Sequence, residues 1–214
     1  MSISVLIVDD HTVVLEGLRS LIEAQNDMRV VGCVTDGRDA VNKAKELKPD
    51  VVLMDIAMPD LNGIEATHLI RTRVETTQVV ILSMHSNQEY VLRALQAGAR
   101  GYVLKKSPSK EVVDAIRTTH QGGRYLSKKL VESAIDDLLS GGSITDPLDM
   151  LSSRERQVLQ LLVEGKSNAV IARSLSLSPK TVETYRARVM QKLNIDDIPS
   201  LVKFAIQHGV TSLE

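Results

Sequence analysis

The stretch KPDVVLMDIAMPDLNG, residues 48–63, decides the fold of the first half of this chain. Its apolar run at 51–54 lacks the alternation of a half-exposed strand and is typical of a strand buried on both faces of a parallel sheet. Asp55 follows directly, where such a strand ends. Pro59 and Gly63 predict a tight loop leading into the next helix. The pattern therefore places a carboxylate at the carboxyl end of a core strand.

Four further apolar runs alternate with amphipathic segments over residues 1–120. We expect strands at SVLIV, MRVVGCV, DVVLM, QVVILS and GYVL, each followed by a helix. Strands that alternate with helices favour a right-handed, doubly wound parallel sheet of the flavodoxin-like type, in the strand order 2-1-3-4-5. The predicted fold class is an α/β domain with a five-stranded parallel sheet.

A different pattern fills the rest of the chain. Residues 121–147 hold paired glycines and the segment SGGSITDP, which predict an interdomain linker with a short helix over 128–139. Residues 148–214 predict four helices with short connections, an all-α domain. This last part carries nine Lys/Arg against seven Asp/Glu, a net +2, which leaves −3 for the first part. The charge asymmetry is modest and coincides with the change of pattern.

Composition excludes several classes of protein. The apolar fraction of 43% is that of a globular chain, and no window approaches the roughly 18 apolar residues of a membrane span. The chain starts in a strand rather than a signal peptide, so we expect a cytoplasmic protein. The single cysteine, Cys33, excludes a disulfide framework within the chain and a cysteine-based metal site, and the five histidines show no metal-ligand spacing.

The first strand also ends in acid, with Asp9 and Asp10 after Val8. Strands one and three are neighbours in the expected sheet, so these carboxylates should converge with Asp55. Their mutual repulsion requires a positive charge, and an oxygen-only ligand set favours Mg²⁺, or Mn²⁺, over zinc. Lys105 and Ser83 end strands five and four. A metal, an ammonium and a hydroxyl around a carboxylate indicate phosphoryl transfer.

Taken singly, these residues have simpler explanations. A strand-end aspartate such as Asp9 or Asp10 often caps the following helix. Ser83 alone could be a loop serine and Lys105 a solvated charge, and the adjacent Lys106 competes for the same role. His11, next to the acid pair, could affect access to the metal or the phosphate donor, but a residue that simply starts the next helix is the plainer explanation. Only the joint occurrence of five such positions favours a phosphoryl-transfer site.

The first 120 residues resemble the receiver domain of bacterial response regulators, with DD, D, S and K at the strand ends in order. The resemblance implies that Asp55 is the phosphoacceptor. It also implies roles for the surrounding groups: direct Mg²⁺ binding by Asp10, mostly water-mediated binding by Asp9, a ligand carbonyl at Ala57, phosphoryl contacts from Ser83 and Lys105, and a conformational switch at Tyr102. Many receivers have proline directly after the lysine, where this chain has Lys106.

The segment SNAVIARSLSLSPKTVETYRARVMQKL has the layout of a helix-turn-helix, in which Ser178 caps a helix with Pro179 in its first turn. Val182, Val189 and Leu193 form its inward stripe. An ordinary solvated face of a four-helix bundle is the alternative for the outer side. The candidate DNA contacts are Lys180, Thr181, Glu183, Thr184, Arg186, Ala187, Arg188 and Lys192.

Residues 148–214 resemble the LuxR-type DNA-binding domain, which together with a receiver gives the NarL/FixJ type of response regulator. The resemblance implies a transcription regulator that a histidine kinase phosphorylates on Asp55. Its implied partners are double-stranded DNA, a second copy of the chain when phosphorylated, and RNA polymerase, with no membrane association. The expected chemistry is limited to self-phosphorylation and autodephosphorylation. Tyr185 stands where histidine is frequent in the family, which leaves the details of DNA contact open.

Two other functions remain alternatives at this point. An enzyme on a flavodoxin-like sheet, a phosphatase or a nucleotide-binding protein, is the weaker alternative, because the sequence contains neither a P-loop glycine pattern nor GxGxxG. A DNA-binding protein with a vestigial receiver would not need the complete set of acids, serine and lysine.

Overall fold

The computed structural model describes residues 2–86, 88–132 and 147–211. The chain divides into two compact units, residues 1–144 and 145–214. Within the predicted linker, residues 128–132 are helical, and the rest of the helix predicted over 128–139 lies outside the described residues.

The first unit is built on a parallel sheet in the order β2-β1-β3-β4-β5-β6. This order confirms the predicted arrangement of the first five strands and adds a sixth at the β5 edge. The strands are β1 (Ile3–Val8), β2 (Met28–Val34), β3 (Val51–Asp55), β4 (Gln78–Ser83), β5 (Gly101–Leu104) and β6 (Tyr125–Leu126).

The prediction of five strands was therefore one short, because β6 lies in the stretch assigned to the linker. Its two residues are too few to show a periodicity. They pair because β5 presents a free edge: the Tyr125 N–H donates to the Arg100 carbonyl and the Ser127 N–H to the Tyr102 carbonyl, each at 3.0 Å. Tertiary hydrogen bonding, rather than local sequence, makes this strand.

Helices cover both faces of the sheet, as the doubly wound prediction required. Alternate residues of β1 divide between the two cores: Val5 and Ile7 pack towards one face, and Leu6 and Val8 towards the other. The first core includes side chains of α1 and α5, and the second those of α2, α3 and α4. The helices are α1 (Thr12–Glu23), α2 (Gly37–Leu47), α3 (Gly63–Arg73), α4 (Gln88–Gln96) and α5 (Ser109–His120).

The second unit is helical in its described residues, as predicted. A 3-10 helix (Pro147–Met150) precedes α6 (Ser153–Val163), α7 (Asn168–Leu175), α8 (Pro179–Leu193) and α9 (Ile198–Gln207). The Ser178 hydroxyl accepts the Thr181 N–H at 3.1 Å, which confirms the predicted cap of α8. Ser176, with φ +54°, makes the left-handed turn between α7 and α8.

Among residues 2–86, 88–132 and 147–211, no helix combines the length and apolar character that crossing a bilayer would require.

Candidate functional site

The three strand-end carboxylates converge at the carboxyl edge of the sheet. β1 and β3 are adjacent and parallel, with Val8 opposite Met54, so Asp9 and Asp55 emerge side by side. Ligand atoms of Asp9, Asp10, His11 and Asp55 all lie within 4.8 Å of one another. The strand order thus brings together acids that are 45 residues apart in sequence.

Asp55 is almost completely buried, with 3% of its surface exposed. One carboxylate oxygen accepts the Ile56 N–H at 2.8 Å, and the other accepts a hydrogen bond from Lys105 Nζ at 2.8 Å. Burial raises the pKa of Asp55 to about 6, opposed by the nearby Lys105 charge and helped by that of Asp9. The carboxylate is thus held in a fixed orientation by two donors.

Lys105 provides the positive charge that the cluster requires. Its ammonium lies 2.7 Å from Asp9 Oδ2 as well as 2.8 Å from Asp55 Oδ2, bridging the two acids. Burial lowers the pKa of Lys105, but the two carboxylates more than offset this, so its pKa lies above the usual value. Lys106 is exposed. Of the two adjacent lysines, Lys105 is therefore the one at the acids.

His11, expected from its place next to the acid pair either to affect access to the metal or simply to start the following helix, contacts both acids. Its Nδ1 lies 2.7 Å from Asp10 Oδ1 and 3.3 Å from Asp9 Oδ1. The Asp10 charge raises the His11 pKa despite partial desolvation. His11 is also the N-cap residue of α1, without a side-chain capping bond, so neither Asp9 nor Asp10 caps that helix at the N-cap position. Adjacency to the acid pair was the available signal.

The donor set suits a hard divalent cation. Asp9 Oδ2 and Asp10 Oδ1 are buried and, among the described residues, receive close ionic contacts but no well-directed hydrogen bond. Carboxylate oxygens with spare acceptor capacity are the ligands that Mg²⁺ and Mn²⁺ take. The half-buried Ala57, named from the resemblance as a carbonyl ligand, lies two residues beyond Asp55 in the same loop.

The loop after Asp55 requires glycine at residue 63 for packing. A Cβ at Gly63 would lie 1.8 Å from the Asp55 carbonyl oxygen, so only glycine lets α3 start against the end of β3. This differs from the expected reason, a permissive turn conformation, because Gly63 is not among the described residues with positive φ. The Asn62 side chain caps α3 by accepting the Ile64 and Glu65 N–H groups.

The Ser83 and Tyr102 hydroxyls both form a hydrogen bond with the backbone of His85, in the loop that follows β4. Ser83 is buried at the end of β4, and its hydroxyl accepts the His85 N–H at 3.1 Å. Tyr102 is fully buried, and its hydroxyl donates to the His85 carbonyl at 2.9 Å. Burial raises the Tyr102 pKa, and the His85 ring stacks on Tyr90 at 4.3 Å. The predicted switch tyrosine therefore occupies the inward position in this structure.

In the second unit, α8 presents the predicted outward face. Glu183, Thr184, Ala187 and Arg188 are exposed, while Val182 and Val189 are buried. Arg186 is half-buried. An open depression of about 340 Å³ lies at the start of this helix, lined by Ser178, Lys180, Thr181, Thr184, Tyr185 and Arg188. Most predicted DNA contacts thus share one polar, positively charged surface.

Lys192 has a partner that the sequence did not indicate. Its ammonium lies 2.7 Å from Oε2 of Glu155, a residue with 3% exposure in α6. The same carboxylate accepts the Ser152 N–H at 2.8 Å in a capping box. Lys192 therefore fastens the end of α8 to the start of α6, and its proposed phosphate contact would be additional to this structural role.

A parallel α/β unit with an acid and lysine cluster, joined to a helix-turn-helix unit, defines a two-domain regulator. Residues 5–117 match the response regulator receiver domain, and residues 149–205 match the luxR family of bacterial regulatory proteins. The chain belongs to the two-component response regulators of the NarL type, which carry a receiver domain and a LuxR-type DNA-binding domain. It is a DNA-binding transcription regulator, as predicted, and this supports regulation rather than metabolic catalysis.

Relatives with both domains align over nearly the whole chain. The oxygen regulatory protein NreC of Staphylococcus aureus strain JH9 is 39% identical over 209 residues, covering 95% of this chain and 96% of NreC. Among solved structures, RcsB of Salmonella enterica serovar Typhimurium, bound to promoter P1flhDC with the phosphomimetic BeF₃⁻, is 26% identical with a TM-score of 0.66, covering 95% of this chain and 98% of RcsB. A LuxR-family response regulator from Aurantimonas sp. SI85-9A1 is 35% identical with a TM-score of 0.63, covering 65% of this chain and 99% of its own.

Proposed function

We propose that a histidine kinase phosphorylates this regulator on Asp55. The observation that carries the proposal is the Lys105 ammonium, which lies against Asp55 and Asp9 at the end of β3. A buried carboxylate oriented by two donors is prepared for in-line attack. An Asp55 oxygen forms a bond to phosphorus, and the P–N bond of the phosphohistidine breaks, its electron pair leaving with the imidazole.

The neighbouring groups divide the remaining tasks. Lys105 exchanges its contact with the carboxylate for one with a phosphoryl oxygen, and the Ser83 hydroxyl donates to another. Asp9, Asp10, Asp55 and the Ala57 carbonyl would hold Mg²⁺, with Mn²⁺ as an alternative. When bound, the ion supplies positive charge beside the transferring phosphoryl group. The protein's own chemistry is then confined to accepting and hydrolysing this phosphate.

The output is DNA binding through α8. Glu183, Thr184 and Ala187 are exposed on the face that would meet base edges, and Lys180 and Arg188 flank it for phosphate contacts. Thr181, Arg186 and Lys192 complete the proposed contact set. One such helix reads only a few base pairs, so a phosphorylated homodimer on double-stranded DNA is the proposed active form, with RNA polymerase a further partner.

The domain assignment belongs to this proposal: a receiver over 1–120, a linker over 121–147 and the DNA-binding domain over 148–214. Strand β6 at Tyr125–Leu126 extends the packed part of the receiver into the linker range. A cytoplasmic location, where kinase and DNA are both available, is proposed with it.

Labelling with acetyl phosphate tests the proposal. The full chain should incorporate one phosphate per molecule in Mg²⁺ and none in EDTA, and Asp55→Asn should incorporate none. Labelling that persists in Asp55→Asn would show that a residue other than Asp55 accepts the phosphate. A chain that takes up no phosphate yet binds DNA would instead favour the vestigial receiver.

A further inference from the structure

Ser127 lies where the receiver sheet ends and the chain towards the DNA-binding unit begins. It follows the last residue of β6, and its carbonyl accepts the N–H groups of Leu130 and Val131, which starts the helical segment 128–132. Ser127 is fully buried, with 0% exposure. A buried serine hydroxyl must find hydrogen-bond partners within the protein.

The Ser127 hydroxyl accepts a backbone hydrogen bond that the Ser127 carbonyl would accept in a regular sheet. The Ser127 N–H donates to the Tyr102 carbonyl, as in a regular parallel ladder. The next bond of such a ladder would run from the Leu104 N–H, at the end of β5, to the Ser127 carbonyl. That carbonyl is used by the helical turn, and the Leu104 N–H donates to Ser127 Oγ instead, at 3.1 Å. The side chain therefore extends β5 pairing to the residue just before Lys105.

The same hydroxyl also reaches the other side of Lys105. Ser127 Oγ lies 3.0 Å from Ser107 Oγ. Either hydroxyl can be the donor in this hydrogen bond, because the Ser127 oxygen can accept a second bond beside that from the Leu104 N–H. Ser127 Oγ therefore contacts Leu104 and Ser107, which lie on either side of Lys105 in the sequence. The turn between them is closed by the Ser107 N–H, which donates to the Leu104 carbonyl at 2.8 Å.

The segment after Ser127 also packs against the hydrophobic core around Tyr102, the proposed switch residue. Leu130 is 4% exposed and belongs to the hydrophobic cluster that contains Tyr90, Tyr102 and Leu104. A displacement of the β5 end would therefore act on segment 128–132 through a hydrogen bond and through apolar contact. Segment 128–132 leads in sequence towards the DNA-binding unit.

We propose that Ser127 is a positioning residue that holds Lys105 in place and couples it to segment 128–132. This rests on the proposed phosphorylation of Asp55. When Lys105 shifts to a phosphoryl oxygen, the Leu104–Ser127–Ser107 contacts move with it and reposition the first turn of segment 128–132.

The test compares Ser127→Thr with Ser127→Val in the full chain. The two side chains have nearly the same shape, but only threonine keeps the hydroxyl. Three quantities are measured: hydrogen exchange of the Leu104 amide, the initial rate of acetyl-phosphate labelling, and the change in exchange of residues 128–132 on adding Mg²⁺ and BeF₃⁻. Asp55→Asn and the wild-type chain are controls.

In Ser127→Val the Leu104 amide should exchange about tenfold faster and labelling should slow by a similar factor, as expected for one lost hydrogen bond to a buried group. Its response to BeF₃⁻ at 128–132 should disappear, and Ser127→Thr should restore all three values. Normal behaviour of both variants overturns the proposal, because the hydroxyl would then not matter. If both are impaired, the methyl group that both add at this buried position is the cause, and the decision passes to Ser107→Ala.

Should Ser127→Val not fold, Ser107→Ala decides, since it removes one contact and leaves Ser127 in place. An unchanged labelling rate and an unchanged BeF₃⁻ response in Ser107→Ala would show that the Ser107–Ser127 contact does not hold Lys105 in place, and would overturn the proposal. Failure of the proposed function is distinct, because it would appear in the wild-type chain as absent labelling or in Asp55→Asn as retained labelling.

Discussion

At the scale of single residues, Asp55, as the proposed phosphoacceptor, combines two conflicting requirements. A nucleophile has to be ionised, yet burial and the charge of Asp9 favour its neutral form and bring its pKa to about 6. Lys105 reduces this penalty without removing it. Residues that serve chemistry at some cost to stability are common in sites of this kind.

Asp55→Asn should therefore stabilise the receiver domain in metal-free buffer. Because the folded pKa is raised, the ionised carboxylate destabilises the fold above about pH 6, and the penalty is relieved as the pH falls through that value. The wild-type unfolding free energy should rise by about 1 kcal/mol between pH 7 and pH 5 relative to the variant. Calorimetry in EDTA measures this, with the exposed Asp196→Asn as control. A pH dependence unchanged by Asp55→Asn would contradict it.

In the receiver, strand order by itself predicts which strand-end residues come together. Asp9, Asp55 and Lys105 were placed together because parallel strands deliver their carboxyl ends to one edge, a rule that needs only strand order. Strand order indicates neither the contacts of the His11 ring nor the involvement of Ser127. Their roles depend on where a side chain points after the backbone has turned, and no periodicity records that direction.

At the scale of elements, α8 has two sides with different tasks. Its outer face carries Lys180 and Arg188, while Lys192 at its end is fastened to Glu155 of α6. A helix that reads DNA must keep its orientation relative to its domain, and a charged hydrogen bond to a nearly buried carboxylate serves that purpose.

Lys192→Met should destabilise the DNA-binding domain by about 1–3 kcal/mol, because Glu155 would stay buried with only its capping contact. Lys180→Met, which removes the same charge from an exposed position, is the matched control and should change stability little. Hydrogen exchange in α6 and α8 of the full chain measures the difference. Equal protection in both variants would show that the Lys192 contact contributes nothing.

Arg188→Ala should weaken binding to all DNA sequences and reduce the salt dependence of log K by about one unit of slope, since one phosphate contact is lost. Lys203→Ala removes the same charge from an exposed position on α9 and should leave the slope unchanged. Titrations at several salt concentrations measure the slope. Identical slopes for the two variants would remove Arg188 from the proposed interface.

At the scale of the whole molecule, the two units must communicate if phosphate is to control DNA binding. Mg²⁺ with BeF₃⁻ should shift the chain from monomer towards dimer and raise operator affinity by about 5- to 150-fold, a coupling of roughly 1–3 kcal/mol. Sedimentation and DNA titration measure the two effects. Asp55→Asn should show neither, and a dimer that forms equally well in that variant would separate dimerisation from phosphorylation.

The sequence by itself determined the first five strands with their helices in the first unit and the four helices of the second, because apolar periodicity and capping residues act locally. It also placed Asp9, Asp10, Asp55, Ser83 and Lys105 at or just after the ends of strands, because each apolar run stops there. Alternation of strands and helices predicts parallel strands, and the order 2-1-3-4-5 is one of the common orders of such sheets. Only the tertiary structure decided the sixth strand, the contact of Lys192 with Glu155, the place of His11 and the two bonds of Ser127. Each of these depends on a free sheet edge or on a side-chain direction in space, which exist only once the chain has folded.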